Sequence, residues 1–351
     1  MKKRLFSGMQ PTGALHLGNW VGALQNWIGL LDQYDCIFCI VDYHAITIPY
    51  DVAGMERRII DAASDYIAAG LDPARATIFV QSDVPQHTEL AWVFDSVTPL
   101  GQLMRMTQFK AKTAQFADME EEDEQVAGEE ERSEFLEKAG KVNAGLFTYP
   151  VLQAADILLY KGEAVPVGED QVQHVELTRD IARRFNNRYG EVFPECRPLL
   201  SPTPRLMGLD AVNKMSKSIG NHIPMQTPPE EIIRRVTREA VSDYRRQRRQ
   251  DPGVPEECNV HAWHKVFSTP AEVEWSAQGC RSAGIGCFEC KKKVAENIAG
   301  QLAPYREKRA EIAARPDYVR DVLAEGAKRC REIAAATMEE VRTKLGLTRG
   351  R

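Results

Sequence analysis

Residues 6–19, FSGMQPTGALHLGN, constrain the fold more than any other stretch of the chain. Leu5 and Phe6 end a short apolar run that follows Lys2, Lys3 and Arg4, and this reads as a strand. Gly8, Pro11 and Gly13 then break regular structure, and His16-Leu17-Gly18-Asn19 opens an apolar-periodic segment running to Leu31. The order is strand, glycine-bearing loop, helix. A helix start offers unpaired N–H groups and the positive end of the backbone dipole, which suits phosphate. His16 and Asn19 lie three apart and so share a face there, and Gly18 leaves the backbone open to close approach. A histidine that only caps a helix would produce the same string.

A second stretch changes the reading. Lys214-Met215-Ser216-Lys217-Ser218 packs two lysines and two hydroxyls into five residues. HLGN followed about 200 residues later by KMSKS resembles the two signatures of class I aminoacyl-tRNA synthetases.

Between them the chain alternates. Residues 36–41, CIFCIV, read as a fully buried strand, with Cys36 and Cys39 pointing to opposite faces as core residues. Asp42-Tyr43-His44 follows at its carboxyl end, where open α/β sheets bind ligands. A helix is expected over 52–70, a buried strand over 76–81, and a largely helical stretch over 89–108 interrupted by Pro99 and Gly101. Tyr149-Pro150 opens a segment over 151–160 with Asp156 inside it, and 164–167 is a short strand leading through Gly168-Glu169-Asp170-Gln171 into a helix ending near 188. Strands alternating with helices give an α/β class with a parallel, Rossmann-type sheet. From 227 onward the chain reads as helices alone, the first carrying Arg234, Arg235, Arg238, Arg245, Arg246, Arg248 and Arg249, and the last, amphipathic, over 317–345. The expected organisation is a catalytic domain over 1–207, a connection over 208–226, an all-helical domain over 227–316 and a closing helix over 317–351.

The net charge of −5 hides an uneven distribution. Residues 117–137 hold eleven Asp or Glu against one Arg, which leaves the rest of the chain at about +5. Such a segment, within an insertion spanning roughly 115–142, is expected to be solvated. The remainder is compatible with a polyanionic partner. Pro11 and Gly13 interrupt any secretory pattern, and no apolar run is long enough for a membrane span, so the expectation is a cytoplasmic protein. Four of the eight cysteines, Cys258, Cys280, Cys287 and Cys290, cluster near one another, and metal is the better reading there than disulfides.

Residues 6–19 together with VDYHAIT (41–47), MTQFKAK (106–112), YPVLQAADILLY (149–160), VPVGEDQ with HVELTRD (165–180) and KMSKS (214–218) resemble the bacterial tryptophanyl-tRNA synthetases over most of the chain. The resemblance implies a Rossmann catalytic domain, an anticodon-reading helical domain, a last helix packed back on the catalytic domain, a homodimer, and tRNA(Trp), L-tryptophan and ATP with Mg²⁺ as substrates. By motif match it places Gln10, Pro11, Thr12, His16, Gly18 and Asn19 at ATP. Gly168, Glu169 and Asp170 take the ribose side, Leu206 the adenine, and Lys214, Met215, Ser216, Lys217 and Ser218 the phosphates. Lys112 matches a loop lysine near the pyrophosphate. Phe6, Gly8, Gln10, His44, Gln153, Asp156, Val165, Val167 and Gln171 line the tryptophan site, with Asp156 accepting the indole N–H. A desolvated carboxylate needs a donor, and the indole supplies one of the right shape. Gln153 departs from the methionine of many relatives, and the acidic insertion lengthens the loop after Lys112. The spacing C-x6-C-x2-C over Cys280, Cys287 and Cys290 resembles the subset of these enzymes that carries a [4Fe–4S] cluster, with zinc or free thiols as the alternatives. The competing functional readings are a non-catalytic paralogue that senses tRNA or tryptophan, and a nucleotidylyltransferase of the same superfamily.

Overall fold

The computed structural model describes residues 2–106, 143–201, 206–217 and 219–348. Lys112, Ser218 and the acidic insertion lie outside these residues.

Five parallel strands form one sheet in the order β3-β2-β1-β4-β5: β1 (Arg4–Met9), β2 (Asp35–Ile40), β3 (Ala76–Val80), β4 (Ala164–Val167) and β5 (Arg197–Leu200). The order reverses between β1 and β4, the switch point at which open α/β sheets hold ligands. β1 pairs with β2 along its whole length, but with β4 in register only at Leu5 and Ala164. Pro166 has no N–H to give the ladder, and the two strands leave a cleft beyond it. The alternation of side chains sorts the sheet into two cores. Leu5, Cys36, Phe38 and Ile40 face one, and Phe6, Ile37, Cys39 and Val41 the other.

After β1 the chain forms α1 (Leu17–Asn19), a π-helical turn over Trp20–Leu24, and α2 (Gln25–Leu30). Then come α3 (Asp42–Ala45), α4 (Met55–Ala69), α5 (Gln86–Asp95), α6 (Leu100–Met104), α7 (Ala144–Leu159) and α8 (Val172–Tyr189). The rest is α9 (Pro229–Glu239), α10 (Asn259–Phe267), α11 (Pro270–Arg281), α12 (Cys287–Gln301), α13 (Ala303–Ala313) and α14 (Pro316–Lys344).

The sheet class agrees with the sequence reading, and several details do not. Gly8 does not end β1 but lies within it, opposite Cys39. A Cβ there would stand 2.8 Å from Val41 and 2.9 Å from the Cys39 carbonyl, so only glycine fits. Gly101 does not interrupt a helix but lies within α6. Pro150 does not open a segment, because α7 begins at Ala144 under the cap of Asn143, whose side chain accepts from Leu146 N, and carries the proline inside it. The basic run is not one helix. α9 stops at Glu239, and Arg245, Arg246, Arg248 and Arg249 follow outside it.

α14 crosses the sheet behind β3. A Cβ on Gly326 would stand 2.0 Å from the Ile78 carbonyl, so helix and strand backbones are in direct contact. From the same helix Arg329 donates to Asp35 on β2 at 2.8 Å and Arg342 to Glu89 on α5 at 2.6 Å.

Candidate active site

At the switch point a cavity of about 320 Å³ opens between β1 and β4, a size suited to a small ligand. Phe6, Gly8 and Gln10 reach it from β1 and the loop beyond, Val165, Val167, Gly168 and Gln171 from β4 and its following turn, His44 from α3, and Gln153 and Asp156 from α7. Every residue assigned above to the tryptophan site lines this one cavity. The π-helical turn adds Gly22 and Ala23, and Tyr149 completes the wall.

Asp156 is 1% exposed. Its Oδ2 accepts from His44 Nε2 at 2.8 Å, and its Oδ1 from Gln81 Nε2 at 2.7 Å and His87 Nδ1 at 2.6 Å. Burial works against the charge, but the hydrogen bonds from His44 and His87 outweigh it and hold the carboxyl at about 2. Contrary to the expectation from sequence, a buried Asp156 does not depend on a ligand for its donor, since the chain itself supplies three. A carboxylate has about four acceptor positions, and the one left is on Oδ2. Gln81 stands just past the carboxyl end of β3, a position that strand-end logic could have flagged. His87 carries no sequence signal; its partners lie 69 and 73 residues away.

His16 is the N-cap of α1. Its Nδ1 accepts from Gly18 N at 3.1 Å, while its own N–H donates to Asn19 Oδ1 at 3.1 Å. The two motif residues thus close the helix start on one another. Burial, then the charges of Lys217, His222 and Lys214, lower the imidazole to about 4. At neutral pH it is uncharged, and with Nδ1 accepting, the proton sits on Nε2 as a donor. His222, a residue the sequence reading missed, meets the His16 ring edge-on at 5.7 Å.

The lysine motif folds onto this loop. Lys217 Nζ donates to the Gly13 carbonyl at 2.8 Å. Met215 is buried, and a Cβ on Gly18 would lie 3.5 Å from it. Met215 N donates to the Leu206 carbonyl and Ser216 N to Asn221 Oδ1, while Lys214 pairs across a bridge with Met207. Pro11 is buried, Thr12, Glu169 and Asp170 are exposed, and Gly168 is exposed while lining the cavity. A larger cavity, about 1130 Å³, lies at the amino ends of the strands among Lys2, Asp35, Arg75 and Arg329. It holds none of the motif residues, so its size does not locate the chemistry.

Away from the sheet, Cys258, Cys280, Cys287 and Cys290 all line one small cavity of about 20 Å³ with Arg246, whose Nη1 stands 3.8 Å from Cys280 Sγ. Burial and then the three neighbouring thiols raise Cys290 to about 12. Among the described residues no group of His, Cys, Asp and Glu stands close enough to hold a single metal ion.

Comparison with known proteins decides the family. The model of the class I tRNA synthetases for W and Y matches residues 1–303. The tryptophan–tRNA ligase of Deinococcus radiodurans is 46% identical over 348 residues, covering 98% of each chain. The chain belongs to the class I tryptophanyl-tRNA synthetases. A second relative, from Thermotoga maritima, is 44% identical and covers 98% of this chain and 99% of its own. Among solved synthetases, the one from Campylobacter jejuni complexed with ADP and tryptophan shares 31% identity at a TM-score of 0.81, over 98% of this chain and all of that one.

Proposed function

We propose that the chain joins L-tryptophan to ATP, giving tryptophanyl-adenylate and pyrophosphate, and then transfers tryptophan to tRNA(Trp). The observation that carries this is the cavity at the switch point with a charged, desolvated Asp156 in its wall and the HLGN and KMSKS segments packed together beside it.

The amino-acid carboxylate is already ionised, so its attack on the α-phosphorus needs no general base, and rate comes from positioning and from stabilising charge on the phosphates. Lys214 and Lys217 supply that charge, with Lys112 and the hydroxyls of Ser216 and Ser218. His16 Nε2–H donates, Gln10, Pro11, Thr12, Gly18 and Asn19 frame the nucleotide, Gly168, Glu169 and Asp170 hold the ribose and Leu206 the adenine. Mg²⁺ enters with ATP. The last acceptor position of Asp156 takes the indole N–H, and the apolar wall of Phe6, Val165 and Val167 with Gly8, His44, Gln153 and Gln171 fits the ring. A substrate without that N–H leaves the last acceptor position of Asp156 empty, which costs about tenfold or more, as losing a bond to a charged group does.

The same reading gives a catalytic domain over 1–207, a helical anticodon-reading domain over 227–316 and a homodimer in the cytoplasm. It rests on the family resemblance, and on the close contact between α14 and β3. Among the described residues no helix is long and apolar enough to cross a membrane. Four thiols lining one cavity match the ligand number of a [4Fe–4S] cluster, which takes one thiolate at each iron. Zinc, which takes four thiolates around one ion at ~2.3 Å, is the alternative. Such a group would tie α11, α12 and the start of α10 together as a structural centre. Charging of tRNA(Trp) with labelled tryptophan tests the whole reading, and no product with tryptophan under conditions where a known ligase charges the same tRNA would sink it.

A further inference from the structure

Asp65, on α4, belongs to no motif and is 1% exposed. Its Oδ1 accepts from the Tyr305 hydroxyl at 2.8 Å, Arg309 Nε at 2.9 Å and Gln226 Nε2 at 3.2 Å. Its Oδ2 accepts from Leu15 N at 3.4 Å. Four segments converge on one buried carboxylate: α4 itself, the loop just before His16, the chain just after the lysine motif, and α13. Tyr305 and Arg309 are four apart on α13 and so share a face. Arg309 is held on its other side by Asp61 Oδ1 at 2.6 Å.

Leu15 and Gln226 are already neighbours through the backbone. Met225 N donates to the Leu15 carbonyl at 2.8 Å and Leu17 N to the Ile223 carbonyl at 3.0 Å, with His16 bridged to Pro224 between them. The two phosphate-side motifs are stitched together at this point, and Asp65 takes one donor from each side of the stitch. Its negative charge also acts on Lys217, opposing the desolvation of that ammonium. A carboxylate so placed is costly to leave without its partners, because the remaining buried charge loses its compensation.

We propose that Asp65 is a positioning residue for adenylation. It sets the register of the HLGN loop against the connection after KMSKS, and ties that register to α13, so that the helical region is felt at the phosphates. The inference rests on the adenylation reading above and names a residue that touches neither substrate.

Two full-length variants test it. Asp65→Asn keeps the size and removes the charge; Tyr305→Phe deletes one donor supplied by α13. Active sites are counted by the burst of adenylate formation, and tryptophan-dependent ATP–pyrophosphate exchange is then measured against each substrate. Per counted site, Asp65→Asn should raise the ATP KM about tenfold, as losing a bond to a charged group does, and Tyr305→Phe should raise it in the same direction by less. The tryptophan KM should stay within about twofold. Arg320→Ala, which cuts the exposed pair from α14 to Glu56, should leave both constants unchanged. A residue that served only stability would reduce the number of active sites and leave the ATP KM per site alone, and that result in Tyr305→Phe, or in Asp65→Asn where it folds, overturns the proposal. Wild-type protein without tryptophan-dependent exchange would instead overturn the adenylation reading on which the proposal stands.

Discussion

His87 Nδ1 donates to Asp156 Oδ1 at 2.6 Å, while its Nε2 meets the Tyr160 hydroxyl at 2.7 Å. His87 does not line the cavity, yet it fixes the carboxylate that does. His87→Ala should therefore raise the tryptophan KM and weaken rejection of phenylalanine, by about tenfold or more, since a hydrogen bond to a charged group contributes ~1.5–3 kcal/mol. Steady-state exchange with both amino acids checks this; unchanged selectivity would place the indole contact elsewhere.

The same carboxyl gives a pH prediction. Asp156 is lowered in the folded protein from 3.8 to about 2, against burial, by the bonds from His44 and His87. A depressed acid contributes stability that is present above its unfolded value and is lost as pH falls through its folded one. Urea midpoints of the wild type should drop more steeply between about pH 4 and pH 2 than those of Asp156→Asn. Parallel profiles would show that the carboxyl is not charged in the native state.

Lys214→Ala and Lys217→Ala should lower the exchange kcat by far more than they raise the tryptophan KM, because the charge they meet develops on phosphate. Lys217 is anchored on the Gly13 carbonyl, so its loss also frees the loop before His16. A change confined to the tryptophan KM would contradict the assignment.

Much of this was legible in the sequence because the signals are local. The run CIFCIV announces a strand buried on both faces, and Cys36 and Cys39 do face opposite cores. The residues of the cavity wall came from motif wording, not from periodicity, and they converge on one pocket. β5 was missed because RPLL is short and Pro198 demotes it to an edge. Pro150 misled because it reads as a boundary, whereas the cap of Asn143 seven residues earlier starts the helix. Within the arginine run, Arg245 and Arg249 pair with Glu257 and Glu289, which lie 12 and 40 residues further on and meet them only in the folded chain. Asp65 was invisible, since its partners are 50 to 244 residues away and only folding brings them together.

Cys287→Ser or Cys290→Ser should reduce charging of tRNA while sparing pyrophosphate exchange, because the cysteine cavity is walled by the 242–290 region alone. Protein purified without oxygen should be brown, with iron and acid-labile sulfide near four per chain by cluster stoichiometry, as ~4 irons per [4Fe–4S] requires. Colourless protein with one zinc per chain would replace the cluster, and four freely alkylated thiols would remove the metal altogether.

The most direct measurement is ATP–pyrophosphate exchange on the purified chain with tryptophan, tyrosine or no amino acid. The tryptophan assignment predicts exchange with tryptophan, at least about tenfold less kcat/KM with tyrosine, whose smaller ring does not bring an N–H to Asp156, and none without amino acid. Exchange that favours tyrosine, or that is absent with tryptophan, would contradict it.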